Sequence, residues 1–409
     1  MAKVITDKKL VDELLSRGVE KIYPNRELLE KKLLSGEKIR LYCGYDPSAT
    51  ALHIGNAISI NKLAQFQKLG HEVIFLLGDF TGMIGDPTDK KAARKKLTRK
   101  EVLANSRHYQ SQASAYLDFD GSNPAQVLYN SAWNDKLNFK DLIELSSNFT
   151  VQQMIQRDMF QERLKETRPI YLHEFLYPLA QAYDSVAMDV DLEIGGNDQM
   201  FNMMCGRDLM KSLKNKEKFV LTLKLLADDE GKKMGKSEGN AVFLDAKPND
   251  MYGIIMSWPD GTISTAFELC TNVPYEEVKK IARELKDQKA NPRDLKMRLA
   301  LEITKINHGE KLAQEAQENF IRTIQNKEMP DDIPSYKTKS KNITIVELLL
   351  ESKMVASKNE ARRLIEQGGI KIKEDNSDFV VVKDANLMIE IKKETIIQRG
   401  KRQYLKITK

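Results

Sequence analysis

Leu41 to Asn56 constrains this chain more than any other stretch. Leu41-Tyr42-Cys43 reads as a buried strand, Gly44-Tyr45-Asp46-Pro47-Ser48 as a tight loop, and His53-Ile54-Gly55-Asn56 as a helix start. A glycine and a proline this close together force the chain to turn. Beyond His53, the apolar residues Ile54, Ile58, Leu63 and Phe66 recur near helical spacing, and Gly70 ends the helix. Glu72-Val73-Ile74-Phe75-Leu76-Leu77 is almost continuously apolar, as in a parallel strand covered on both faces. Strand, helix and strand in about forty residues make a βαβ unit, which predicts a doubly wound, Rossmann-type α/β domain.

The rest of the chain divides around that unit. Residues 1–36 read as helical, with Val11, Leu14, Leu15 and Val19 on one face. Residues of about 110–190 read as a polar helical insertion, after which strand patterns resume at Asp191–Gly196 and Phe219–Leu226. The catalytic-type α/β domain is thus expected over 1–246. Helical patterns without strands fill 247–330. Residues 331–341 hold Pro334 and almost nothing apolar, so they read as a linker into a small α+β domain over 342–409.

Composition narrows the class. The 409 residues are 41% hydrophobic and 30% charged, too many for one compact core, so two or three domains are expected. No apolar run is long enough to span a membrane, and the N-terminus is broken by charges, which predicts a cytoplasmic protein. Cys43, Cys205 and Cys270 are far apart and odd in number, which argues against a disulfide scaffold or a zinc site. The net charge of +6 is uneven: residues 337–409 carry +7 and the remainder −1. The C-terminal region is therefore where a nucleic acid would bind, although a lysine-rich solvated surface has the same composition.

The second signal lies 180 residues beyond His53, in the glycine-bearing loop Lys233-Met234-Gly235-Lys236-Ser237. A helix N-terminus and two lysines suit phosphate chemistry. ATP-dependent activation of a carboxylate needs little acid–base work. The carboxylate attacks the α-phosphorus, pyrophosphate leaves, and catalysis consists of alignment and neutralisation of growing charge. His53 would donate to the phosphates, Gly55 would leave room for the nucleotide, and Lys233 and Lys236 would meet the departing pyrophosphate. Alone, an H-x-G triplet is ordinarily a polar helix start, and a K-x-x-K loop an exposed turn. Tyr177, Gln181 and Asp184 fall at i, i+4 and i+7 of one helix and so share a face. They would equally form a polar stripe on an insertion.

The two signals in this order resemble the HIGH and KMSKS signatures of class I aminoacyl-tRNA synthetases, here as HIGN and KMGKS. With YCGYDPSATALHIGN, GDFTGMIGDP, YPLAQAYD and EIGGNDQ, the whole chain is similar to the tyrosyl-tRNA synthetase family of bacterial or organellar type. That resemblance implies ATP, with its Mg2+, as substrate, with tyrosine and its tRNA as partners and a homodimer paired through the insertion. It implies that His53, Asn56, Lys233 and Lys236 act in catalysis. Tyr42 and Asp184 would bond the substrate phenol, and Tyr177, Gln181 and Asp86 its amino group, with Asn130 nearby. Thr81 and Gln199 would line the pocket. Gly44, Asp46, Gly196 and Asp198 would face the nucleotide with His53, Gly55 and Lys236. Asn56 departs from the second histidine of the family pattern. A tryptophan-specific relative and a non-catalytic RNA-binding paralogue are the alternatives.

The C-terminal region resembles an S4-type RNA-binding domain. Ser357 and Glu360 have the spacing of a capping box. Lys358, Arg362, Arg363, Lys401 and Arg402 would then present positive charge to RNA phosphates.

Overall fold

The computed structural model describes residues 3–87, 97–227, 241–325, 333–338, 340, 342–374, 377–391, 395–400 and 403–408. The chain forms two compact units, residues 1–314 and 315–409.

A six-stranded sheet organises the first unit. Its strands are β1 (Val19–Tyr23), β2 (Arg40–Tyr45), β3 (Glu72–Leu77), β4 (Gln126–Tyr129), β5 (Leu192–Gly196) and β6 (Phe219–Leu223), in the order β1-β6-β5-β2-β3-β4. All neighbours are parallel except β1, which runs antiparallel to β6. β3 and β6 are buried on both faces, which is why they read as almost continuously apolar runs, interrupted only by Glu72 at the start of β3 and buried Thr222 in β6. The helix Ile54–Lys68 buries Ile60, Leu63 and Phe66 completely. Each such side chain stabilises the fold by roughly 1.5–3 kcal/mol relative to exposure.

Two readings change. Residues 1–36 are not all helical: helices Lys8–Ser16 and Arg26–Leu34 flank β1. Gly18, at φ +68°, breaks the helical path, and β6 supplies the backbone partners that make the next five residues an edge strand. The stretch 110–190 also contains β4. At four residues it is too short to show a period of its own, and its pairing with β3 defines it.

Helices Pro248–Met256, Ile263–Cys270, Tyr275–Lys286 and Pro292–His308 lie within the first unit. Buried Arg17 holds part of this region to the N-terminal helix. It donates to the carbonyls of Phe267, Glu268, Thr271 and Val273. Lys62, on the Ile54–Lys68 helix, in turn donates to the carbonyls of Leu14 and Arg17, each at 2.8 Å.

The second unit has its own core, including Ile345, Leu348, Leu349, Ala361, Ile365, Ile370, Ile397 and Ile407. Two helices, Ile345–Glu351 and Lys358–Glu366, accompany a five-stranded sheet. Ser357 accepts from the Glu360 amide at 3.2 Å, and the Glu360 carboxylate reaches back to Ala356 N at 2.7 Å. The capping arrangement is therefore real, with its return arm one residue earlier than the simple box.

Candidate active site

The site residues gather at the carboxyl ends of β2, β3 and β5. Chain crossovers leave this sheet in opposite directions from the β2–β5 junction, the usual crevice position in open α/β sheets. His53 caps the Ile54–Lys68 helix. Its Nδ1 accepts from Gly55 N at 3.0 Å, so in the neutral ring Nε2 carries the hydrogen. A Cβ at Gly55 would lie 2.8 Å from the His53 ring, so the glycine makes room for the imidazole itself. The Asn56 side chain accepts from His53 N at 3.0 Å and closes a capping box. That is a structural task for the residue that departs from the family pattern.

The chain at 242–244, beyond the second signature, pairs in the backbone with the first. Ile54 N donates to Val242 O, and Leu244 N to Leu52 O, with His53 bridging to Phe243. The chain just beyond the KMGKS segment is thereby fastened beside HIGN. Lys233 and Lys236 themselves lie outside the described residues.

The helix Leu172–Met188 brings Tyr177, Gln181 and Asp184 into one polar cluster. Tyr177 donates to Asp46 Oδ2 at 2.8 Å, and Thr81 to Asp46 Oδ1 at 2.6 Å. A Cβ at Gly78 would fall 1.9 Å from Asp46 Oδ1, so glycine is required there. Asn130 Nδ2 lies 3.0 Å from Thr81 Oγ1 and 3.2 Å from Asp184 Oδ2. Asp184 Oδ1 accepts from Trp133 Nε1 at 2.7 Å and Asn134 Nδ2 at 3.0 Å. Gln199 donates to Asp86 at 2.6 Å, and Arg157 stands 4.0 Å from the same carboxylate. Tyr42, 1% exposed, has its hydroxyl 3.0 Å from Ser185 Oγ.

The structure thus joins Asp46 to the Tyr177–Thr81 group rather than leaving it only to a nucleotide. Gly44 is exposed at the end of β2, while Gly196 and Asp198 stand at the end of β5. Trp133, Asn134, Ser185, Glu193 and Lys218 were not legible as site residues. Only the i, i+4 spacing of Asn130 and Asn134 hinted at one of them.

Burial pushes the Asp184 carboxyl up to about 8, against the pull of its three donors, and a further donor to it would favour the ionised form and bring it back down. A carboxylate has about four acceptor positions. Described residues fill three, which leaves one position on Asp184 for a further donor. Burial also pushes Asp46 up to about 7, against its two hydroxyl partners. An unfolded aspartate titrates near 3.9. Between these values the folded state holds the extra proton, so this group lowers stability as pH rises from about 4 to about 7. Asn at position 46 does not titrate, and both hydroxyl partners can donate or accept. The melting-temperature difference between Asp46→Asn and the unaltered protein should therefore grow from pH 4 to 7 and level off above about pH 8. A flat difference across that range in calorimetry would count against the shift.

This fold, with HIGN at a helix start and a cluster of polar side chains by the β2–β5 junction, defines an α/β enzyme of the class I synthetase type. The family described as "tRNA synthetases class I (W and Y)" matches residues 34–325, and the chain belongs to it. A second family, the "Tyrosine--tRNA ligase SYY-like C-terminal domain", matches residues 325–407 and narrows the membership to the tyrosine–tRNA ligases. The tyrosine–tRNA ligase of Thermotoga maritima is 41% identical over 397 residues, 97% of this chain and 96% of that protein. That of Colwellia psychrerythraea is 43% identical over 399 residues, 96% of this chain and 97% of that protein. A C-terminally truncated mitochondrial tyrosyl-tRNA synthetase from Coccidioides posadasii shares the fold. Its TM-score is 0.62 at 24% identity, over 76% of this chain and 91% of that one. So does the Archaeoglobus fulgidus enzyme solved with L-tyrosine, with a TM-score of 0.59 at 21% identity, over 76% of this chain and all of that one.

Proposed function

We propose that the chain activates L-tyrosine with ATP, forming tyrosyl-adenylate and pyrophosphate, and then transfers tyrosine to the 3′ end of its tRNA. The observation that carries this reading is Asp184, buried, held by three donors and left with one acceptor position beside Tyr42. A phenol O–H fills that position, whereas phenylalanine would leave it unpaired. Tyrosine-selecting synthetases are themselves the standing illustration of this effect, so its size is not new here. Tyr177, Gln181 and Asp86 form the amino-group side. His53 Nε2 at the helix N-terminus donates to phosphate, and Lys233 and Lys236 take up the charge of leaving pyrophosphate. Mg2+ arrives with ATP.

The test is pyrophosphate exchange with each of the twenty amino acids. Tyrosine alone should drive it. Exchange driven by tryptophan would assign the other branch of the family, and no exchange would leave an RNA-binding paralogue.

The helices of 247–330 are assigned to anticodon recognition and the C-terminal unit to tRNA phosphates, in the cytoplasm. Lys358, Arg362 and Arg363 are exposed on one helix, as this requires. Lys401 and Arg402, assigned to the same surface, lie outside the described residues.

A homodimer through the insertion fits its surface. Phe139, Ile143, Val151 and Leu172 are 77%, 56%, 71% and 84% exposed. Large apolar groups so exposed within one insertion are what an interaction surface requires. Leu142 and Phe149 are half-buried, and Phe160 is fully buried against Phe175, so Phe160 belongs to the core of the first unit instead. Light scattering at micromolar concentration should give twice the 46.8 kDa chain mass. A monomer mass would refute the pairing.

A further inference from the structure

Behind the Tyr42 hydroxyl lies an ion pair that carboxylate activation does not call for. Lys218 and Glu193 are 0% and 2% exposed and in direct contact. A buried pair of this kind is often no more stable than apolar side chains of the same volume. Its neighbours show what else it does. Tyr42 and Glu193 are side by side in the parallel register of β2 and β5. Lys218 Nζ donates to Ser185 Oγ at 2.9 Å, and the other oxygen of Glu193 accepts from Gln181 Nε2 at 3.0 Å. The helix Met200–Lys214 leaves space for the ammonium: a Cβ at Gly206 would lie 2.5 Å from Lys218 Nζ and 2.9 Å from Ser185 Oγ. The pair therefore ends on two residues of the substrate pocket, Tyr42 through Ser185 and Gln181 directly.

Counting hydrogens fixes the direction of the first arm. An ammonium only donates, so Ser185 Oγ accepts from Lys218 and has one hydrogen of its own to place. Ser185 is within donating reach of Glu193 Oε2 at 3.5 Å, but Tyr42 Oη at 3.0 Å is the nearer acceptor and takes the larger share of that hydrogen. Accepting from a cation strengthens the serine as a donor. Tyr42 then accepts from behind and keeps its own hydrogen for the pocket. A substrate phenol receives that hydrogen and gives its own to the remaining position on Asp184. Phenylalanine satisfies neither group.

We propose that Lys218 and Glu193 are positioning residues that, through Ser185, hold Tyr42 as a hydrogen-bond donor to the substrate phenol. Through Gln181 they fix the amide on the amino-group side. This rests on the reading of Tyr42 and Asp184 as the phenol-binding pair.

Three variants in tyrosine- and phenylalanine-dependent pyrophosphate exchange test it. The double variant Lys218→Met/Glu193→Gln removes both charges, keeps similar volume and retains an acceptor for Gln181. Ser185→Ala cuts the relay and leaves the ion pair. Tyr42→Phe removes the hydroxyl itself. The double variant and Ser185→Ala should each lower the tyrosine/phenylalanine ratio of kcat/KM by about tenfold, the size of one buried hydrogen bond to a substrate group. The loss should appear mainly as a raised KM for tyrosine, with phenylalanine kcat/KM little changed, a split that loosened packing alone would not produce. Folding is checked by circular dichroism melting. If the double variant does not fold, Ser185→Ala alone decides. Folded variants with an unaltered ratio overturn the relay. If Tyr42→Phe lowers the ratio while they do not, the phenol reading stands and the relay is wrong. If Tyr42→Phe also leaves the ratio unaltered, the phenol contact of Tyr42 falls, and the relay with it.

Discussion

Asp184→Ala is expected to lower kcat/KM for tyrosine in pyrophosphate exchange by at least about a hundredfold and to remove most of the preference over phenylalanine. The substitution deletes the acceptor of the substrate phenol, a charge-assisted hydrogen bond worth about 1.5–3 kcal/mol in a buried setting. It also strands donors that the carboxylate now satisfies: Trp133 Nε1, Asn134 Nδ2 and one contact of Asn130. Leaving buried donors unpaired costs about 1–3 kcal/mol apiece where water does not reach them. The variant should therefore melt lower as well as select poorly. Phenylalanine kcat/KM should fall much less than that of tyrosine, since phenylalanine never used the acceptor. The readouts are exchange kinetics with both amino acids and a thermal melt. A folded variant that still prefers tyrosine strongly would mean that Asp184 supports the pocket from behind, and the phenol-binding assignment would fail.

A chain ending near Pro330 is expected to keep tyrosine-dependent exchange and to lose most tRNA charging, roughly a hundredfold in kcat/KM for tRNA. Every described residue assigned to activation lies within residues 1–314, and residues 315–409 build a core of their own. Removing a self-contained unit at an apolar-poor connection leaves the other core intact. The removed part carries the basic surplus of the sequence, with Lys358, Arg362 and Arg363 on the surface. Contacts to phosphate release counterions, so binding of tRNA by the full chain should weaken steeply with salt, and the shortened chain should show a shallower slope. Exchange and charging are measured on the same preparations at two salt concentrations. If the shortened chain charged tRNA as well as the full chain, the C-terminal unit would serve some other purpose.

The sequence by itself determined the βαβ start, the helix beginning at His53 and the common face of Tyr177, Gln181 and Asp184. Each is a local matter: a glycine–proline loop, a period of 3.6, an apolar strand. It also determined the basic C-terminal unit with the Ser357 cap. Tertiary structure decided the rest. Val19–Tyr23 became a strand only because β6 lies beside it, and β4 only because β3 does. Asn56 acquired a capping task that its residue type alone left open. Phe160 turned inward while Phe139 stayed in solvent, a difference no local pattern carries. The partners of Asp184 come from a segment some fifty residues earlier, and Lys218, just before β6, reaches Ser185 on the Leu172–Met188 helix. Hydrogen-bond satisfaction and charge burial act between atoms brought together by packing, and the order of residues along the chain does not encode those distances.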